Sequence, residues 1–582
     1  MVFGSLCGSL KNVELDNDVK KQVEDASAGQ LSYIGRSAYD ALKIRHAWHH
    51  KVQWNVTSGQ VVGKIHQTPS VDVFKTTADP IKDGHDEWFP EKMCEIMKKT
   101  TKFCDIMSLG PPDGLFMDKM KEGLAAICET SKNSDQPIIV RFMMGNIVGM
   151  PVNCDKLRKE MTNDLPADAK VHFWLGAWRK GSSWNHAKLI AVDGRYLHTG
   201  GHNMWDRHYL RGNPVHDVSV EMEGRVAHDG HLFANEQWKY IQRKQSGVIG
   251  QCAEKIPDGM PLIWQNRVIV SEYPVTVASE FPPMYYPSLA PRYDKPEASV
   301  PMISMGRQGA LTFKNRPADD AILAMIGASK NIIRMSLQDI GPVCIPKTKV
   351  ALPGLKWPKP ILIALARAIF QRGVDVEIVL SNPGSIPDGL SLTDAQYGNG
   401  WSCVDVAAEI VKRIKKLFPG AKDERLRKMV QENLRVCFIR HAQQDKYADG
   451  KTIGNHSKFF IVDDKAAYIG SQNLYMCDLA EWGVLVDSEA ETKKIMTDFW
   501  NPMWEASYTE ARDVDVDAVM DGLDIDRDGE EVNGMTLEGR MKLQEAAKMQ
   551  ASVNNGGTDM YVEEIGEEYV EKTDAPRDQP EQ

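Results

Sequence analysis

Residues 185–203 and 455–473 carry one pattern twice, without a gap. Asn185, His186, Lys188, Asp193, Gly200, Gly201 and Asn203 correspond to Asn455, His456, Lys458, Asp463, Gly470, Ser471 and Asn473, and the two His stand 270 positions apart. The His-x-Lys-x4-Asp part alone would arise by chance roughly 0.05 times in a chain of this length at ordinary residue frequencies. Two extended copies are therefore a repeat. Such a repeat predicts a chain built from two similar units, each bringing half of one constellation.

The sequence around each copy predicts α/β layers. Gln136–Met144, Val171–Leu175 and Lys188–Val192 read as strands, with helical periodicity over Leu115–Thr130. Asn331–Leu337, Val374–Leu380, Leu434–Arg440 and Lys458–Val462 read as strands in the second half, with a helix over Ile361–Arg372. The expected division is an N-terminal extension over 1–30, a first lobe over 31–285, a Pro-rich linker over 286–305, a second lobe over 306–510 and an acidic, partly disordered tail over 511–582. The 582 residues suffice for such a division, and each half can bury its own core.

The repeat also predicts chemistry. His and Lys two apart at the start of a strand share a face. Asp193 and Asp463 lie an odd number of positions further on and would face away, as structural partners or turn caps. The Gly pairs permit close backbone approach, and Asn203 and Asn473 can reach back with amide donors. Two Lys and two Asn make a donor cage for an anion with several oxygens. One neutral His can attack phosphorus while the other protonates the leaving oxygen. Each His needs a carboxylate to set its tautomer. Asp217 follows His186 by 31 positions and Glu481 follows His456 by 25, each just before a β-prone run. They are the expected orienting carboxylates, and on sequence alone the two His are interchangeable.

These residues resemble the signature of the phospholipase D superfamily, and the local texture resembles the secreted Streptomyces-type enzymes. That texture includes Trp184-Asn185-His186, Thr199-Gly200-Gly201, Pro214-Val215-x-Asp217-Val218, Tyr468-Ile469-Gly470-Ser471 and Asn473-Leu474-Tyr475. The resemblance implies two pseudo-symmetric α/β lobes sharing one active site, a phosphohistidine on His186, His456 as general acid and then base, and no metal or other cofactor. It implies hydrolysis of a phospholipid head group at a membrane or vesicle surface, as in phosphatidylcholine to phosphatidic acid and choline, with transfer to other alcohols. Glu481 departs from the family's usual Asp. Its extra methylene is expected to shift His456 slightly. The lack of a signal-peptide pattern, which puts secretion in doubt, and the acidic tail are further expected departures.

Charge bears on the rival readings. Net charge is −10, but residues from Asp513 onward hold 20 acidic and 6 basic side chains, leaving 64 basic against 60 acidic in the other 512 residues. A near-neutral body argues against a nucleic-acid partner. An endonuclease, a phospholipid synthase or a non-catalytic lipid-binding scaffold remain the alternatives. Both halves of the site lie in one chain, so a monomer is expected. No apolar run reaches the length of a transmembrane helix, and the N-terminus lacks the pattern of a signal peptide. The expected location is therefore cytoplasmic or peripheral to a membrane.

Lesser candidates complete the reading. His202, Trp184 and Ser471 are expected to touch substrate, and Trp174 and Trp178 to line an acyl or choline pocket with Trp184. His46 and His50 have metal-pair spacing but lack a third ligand, and read as a polar helix face. Asp524, Asp526, Asp528 and Gly529 open like a calcium loop, yet Met535 stands where its last ligand belongs. The ten Cys form no C-x-x-C pair and read as buried free thiols.

Overall fold

The computed structural model describes residues 29–529, apart from 77–78, 80, 83–85, 148–151, 167, 181–182, 246–270, 274–280, 287–298, 310–315, 346–347, 352–354, 386–397, 476–478 and 511–512. It is a mixed α/β fold. The strands are β1 (Trp54–Val61), β2 (His66–Thr68), β3 (Phe103–Met107), β4 (Ile138–Gly145), β5 (Val171–Lys180), β6 (Ser183–Trp184), β7 (Leu189–Val192), β8 (Tyr196–Gly200), β9 (Asp217–Glu223) and β10 (Ser271–Tyr273). Then come β11 (Val300–Gln308), β12 (Ile332–Leu337), β13 (Asp375–Leu380), β14 (Leu434–Phe438), β15 (Lys458–Val462), β16 (Ala466–Gly470) and β17 (Ala480–Val486).

The pairings give two sheets of the same order. One runs β2/β1–β9–β8–β7–β3–β4–β5–β10. The other runs β11–β17–β16–β15–β12–β13–β14. In each, three strands are parallel and joined by helices, as parallel pairing requires. The helices Gly114–Ser131, Cys154–Thr162, Lys359–Arg372 and Cys403–Leu417 serve these crossovers. Ser402 and Asp405 close a capping box at the start of the last, and Gly373 ends its predecessor with φ 67°.

Both faces of each sheet are covered, which explains the unbroken apolar runs. Leu189 and Ala191 face a core shared with Phe459, Ile461, Trp482 and Val484 of the other sheet. Ile190 and Val192 face helices on the outer side, as Phe460 and Val462 do in the second half. Two sheets thus pack on a common core with helices outside, and the repeats meet near the middle.

The chain crosses between halves where the sequence suggested simple boundaries. Trp54–Gly59 of β1 pair with β11, and Gln60–Val61 pair with β9. The helix Tyr33–Arg45, expected in the first lobe, packs on the helix Pro317–Ala328 of the second half. Its capping residue Ser32 bonds Asp487, and Tyr33 bonds Asp463. The end of the Pro-rich stretch is β11 itself, held between β1 and β17; residues 287–298 of that stretch lie outside the described residues.

The tail also begins folded. Arg527 is buried against Asp405 and Glu409, and Asp513 pairs with Arg440. Asp528 accepts from Trp357 N and pairs with Lys359 while Asp526 caps Asp528 N, so these carboxylates serve the fold rather than converge as calcium ligands. Residues 530–582 lie outside the described residues. The seven Cys within the described residues are buried and free.

Candidate active site

The two repeats place their His at the same ends of equivalent strands, β7 and β15. Backbone bonds then cross between halves. His186 N donates to Ala480 O at 2.7 Å, and His456 N donates to His216 O at 2.7 Å. Each acceptor is the residue immediately before a carboxylate. The crossing hands each His the other half's acid: His456 Nδ1 hydrogen-bonds Asp217 Oδ2 at 2.7 Å, and His186 Nδ1 lies 2.8 Å from Glu481 Oε1. This corrects the expectation that Asp217 orients His186 and Glu481 orients His456. The reason is strand order. Within a half, β8 or β16 intervenes between the His strand and the acid strand, a separation of roughly 9–10 Å, whereas the opposite half is bonded directly.

The rings of His186 and His456 stand edge to face, with centroids 6.3 Å apart and planes at 74°. Lys188 Nζ donates to His186 O at 2.8 Å and Lys458 Nζ to His456 O. Asn203 Oδ1 and Nδ2 and Asn473 Oδ1 are buried without a protein partner. Buried amides left unsatisfied are what a ligand-binding cage requires.

Burial dominates the electrostatics. It pushes His186 and His456 well below the ordinary imidazole range, and the neighbouring Lys charges add to this. Burial likewise holds Lys188 well below its usual value and brings Lys458 down to about 7, each Lys opposed by Asp217 and Glu481. The carboxyls of Asp217 and Glu481 are raised by burial, against the pull of His202 and Arg307 respectively. An anionic group between the two Lys would relieve their repulsion and favour their charged forms.

Asp193 and Asp463 lie at the far ends of β7 and β15. Asp193 accepts from Thr101 N, Lys102 N and Phe103 N at 2.7–2.9 Å, and Asp463 from Lys330 N, Asn331 N and Ile332 N at 2.7–2.9 Å. Both have positive φ, 52° and 53°, at the hairpin turn. They stitch each hairpin to the start of the neighbouring strand and face away from the His pair, as their odd spacing predicts.

The expected substrate contacts are placed differently. His202 uses both ring nitrogens, on Thr68 Oγ1 at 2.8 Å and Ser219 Oγ at 2.7 Å, and packs on Phe89. Burial brings its pKa down to about 3. It is a satisfied core ring. Ser471 bonds Trp482 through both N and Oγ, holding β16 to β17. Trp174 and Trp178 are buried in the shared core instead of lining a pocket, and Trp184 is half-buried on the short strand β6. His46 bonds Asp320 and His50 bonds Asn55, each engaged in the fold.

Four contributors were not read from sequence. Arg307 lies opposite Glu481 in the β11–β17 register, bonds its carboxylate, and pairs with Asp319 at 2.7 Å. Tyr209 donates to Asp217 Oδ2 at 2.9 Å and accepts from Asn203 N at 3.0 Å. His216 and His441 share a hydrogen bond through their Nε2 atoms behind the site. Arg307 was discoverable: the alternating Ile303-Ser304-Met305 before it is a strand signal hidden by the adjoining Pro-rich stretch.

No family model matches the chain. It is 26% identical over 449 residues to the phospholipase D of Streptomyces antibioticus, across 72% of this chain and 77% of that relative. The chain is thus similar to a phospholipase D over most of its length. Among solved structures, the chain aligns with the phosphatidylserine synthase of Haemophilus influenzae Rd KW20 at 11% identity and TM-score 0.44, covering 86% of this chain and 96% of that one. It also aligns with NucT from Helicobacter pylori at 13% identity and TM-score 0.21, covering 35% and 96%. Among the described residues, no helix is long and apolar enough to cross a membrane.

Proposed function

We propose that the chain is a phospholipase D that hydrolyses the head-group phosphodiester of glycerophospholipids, with phosphatidylcholine as the reference substrate. The observation that carries this reading is the His pair at the meeting of the halves, each with a carboxylate of the opposite half beside its Nδ1, hydrogen-bonded at His456 and 2.8 Å away at His186. With a carboxylate beside each Nδ1, Nε2 is the nitrogen that attacks or delivers a proton.

In the first step His186 Nε2 attacks phosphorus and the bond to the head-group oxygen breaks. That oxygen takes the proton from His456. In the second step His456 takes a proton from water, whose oxygen attacks phosphorus and breaks the phosphorus–nitrogen bond. An alcohol entering in place of water gives transphosphatidylation. Lys188 and Lys458 stabilise the equatorial oxygens, while Asn203 and Asn473 offer amide donors. Asp217, Glu481, Arg307 and Tyr209 orient these groups, and Asp193 and Asp463 hold the two hairpins.

The test is release of choline and phosphatidic acid from phosphatidylcholine vesicles with EDTA present, ethanol in a parallel sample, and His186→Ala as control. Choline release with phosphatidylethanol formation, lost in the variant, is expected. A wild-type protein that releases no choline would move the reading to another phosphodiester.

A further inference from the structure

The helix Tyr33–Arg45 starts beside Asp463 and Asp487, at the end of the sheets remote from the His pair. Its C-terminal end therefore runs toward the site end. The segment that follows enters β1 from that end: Trp54 lies opposite Met305, Gly306 N donates to Gln53 O, and Arg307 is the residue that reaches Glu481. Residues 46–52 thus stand level with the active site, on its flank.

This segment leaves apolar groups in water. Trp48 is 95% exposed and Ile44, four positions before it, 81%. Such exposure of a Trp is unusual, because its ring is among the largest apolar groups a chain can bury. Bases outnumber acids in and after this segment, with Asp40 one helical turn before Ile44. Residues 41–71 include Lys43, Arg45, Lys51 and Lys64 and no Asp or Glu. The acid facing this segment is Asp320, which pairs with Arg45 at 3.1 Å and His46 at 2.9 Å. An indole at the tip of a basic segment suits one surface above others: the interface of an anionic bilayer, where the ring sits among head groups and the cations meet lipid phosphates.

We propose that Ile44 and Trp48, with Lys43 and Lys51, form an interfacial anchor that seats the active-site end of the protein on an anionic phospholipid surface. This rests on the phospholipid reading above. The anchor shares the end of the sheets that carries the His pair, so docking through it would bring the site toward the head-group layer without spanning the membrane.

The experiment is flotation of the full chain with phosphatidylcholine vesicles, with and without phosphatidic acid, at low salt and at high salt. Wild type is compared with Trp48→Ala, Ile44→Ser and the charge reversal Lys43→Glu/Lys51→Glu, and with Tyr286→Ser, an exposed aromatic elsewhere, as control. Each variant is also assayed on a short-chain phosphatidylcholine below its micelle threshold. The expected result is binding that needs phosphatidic acid, falls with salt, and weakens about fivefold or more in Trp48→Ala and in the charge reversal. Turnover of the monomeric substrate should stay unchanged in the anchor variants. Equal vesicle binding by Trp48→Ala and wild type would overturn the anchor. So would binding that appears only after residues 530–582 are removed, which would make that acidic segment the occupant. Anchored protein that turns over no monomeric substrate would sink the enzymatic reading and leave the anchor standing.

Discussion

The two half-sites share a motif and a topology but hold their carboxylates differently. Asp217 rests on neutral donors, the Tyr209 hydroxyl and its own Val218 N at 2.8 Å. Glu481 rests on the Arg307 guanidinium, itself tied to Asp319. The His contacts differ too. His456 makes a hydrogen bond to Asp217, whereas the 2.8 Å approach of Glu481 to His186 lacks hydrogen-bond geometry at Nδ1. A carboxylate already balanced by Arg307 pulls less on an imidazolium than one held by neutral groups. Asp217 therefore supports a developing charge on His456 more than Glu481 supports one on His186. That difference supports His186 as nucleophile and His456 as acid, a choice the repeat leaves open.

The first way to break the comparison is to remove each His. His186→Ala is expected to lower turnover by roughly 10⁴-fold or more and to leave no phosphoenzyme. His456→Ala should still form phosphoenzyme slowly from a substrate with a good leaving group. Quench-flow trapping of the phosphorylated protein separates the two, and trapping in His186→Ala alone would invert the assignment. The carboxylates come next. Asp217→Asn should lower kcat/KM by roughly 10³-fold, since His456 then lacks any anionic partner. Glu481→Gln should cost nearer 10–100-fold, because Arg307 already offsets that charge. A larger loss in Glu481→Gln would mean that the two halves play the opposite parts.

Arg307 sharpens the comparison through pH. Burial raises the Glu481 carboxyl and Arg307 opposes that rise. In Arg307→Met the carboxyl goes higher still, so the ionised form that orients His186 is lost as pH falls. The acidic limb of the kcat/KM profile should move upward, with a loss that grows as pH falls and shrinks as it rises. Arg307→Lys should restore part of it. A uniform loss at every pH would make Arg307 a packing residue.

How much of this was legible follows from where each signal sits. The apolar runs at Leu189–Val192 and Phe459–Val462 identify their strands because both faces are buried. The odd spacing of Asp193 and Asp463 identifies them as structural. The crossed pairing was not legible, since it depends on β8 and β16 separating strands that lie close in sequence. The Trp cluster before His186 misled for a similar reason: Trp174 and Trp178 face a core that exists only once two sheets meet. His202 misled because Thr68 and Ser219, which satisfy it, come from distant strands.

Tyr209 gives the smallest effect and the most specific test. In the first half Asn203 N reaches Asp217 through the Tyr209 hydroxyl, by bonds of 3.0 and 2.9 Å. In the second half Asn473 N reaches Glu481 Oε1 directly at 3.3 Å. The extra methylene of Glu481 thus does what the hydroxyl does for Asp217. The neighbouring Gly follows the same logic: a Cβ at Gly201 would meet Asp217 Oδ1 at 2.0 Å, while the equivalent Ser471 carries its Cβ. Tyr209→Phe should lower kcat/KM several-fold and stability by about 1 kcal/mol. Asp217→Glu alone should be worse, because the longer side chain collides with the hydroxyl. Combined with Tyr209→Phe it should recover part of the loss, giving a positive coupling in a double-mutant cycle. Additive losses would mean that hydroxyl and methylene do not substitute for one another, and that the half-sites reached similar geometry by unrelated packing.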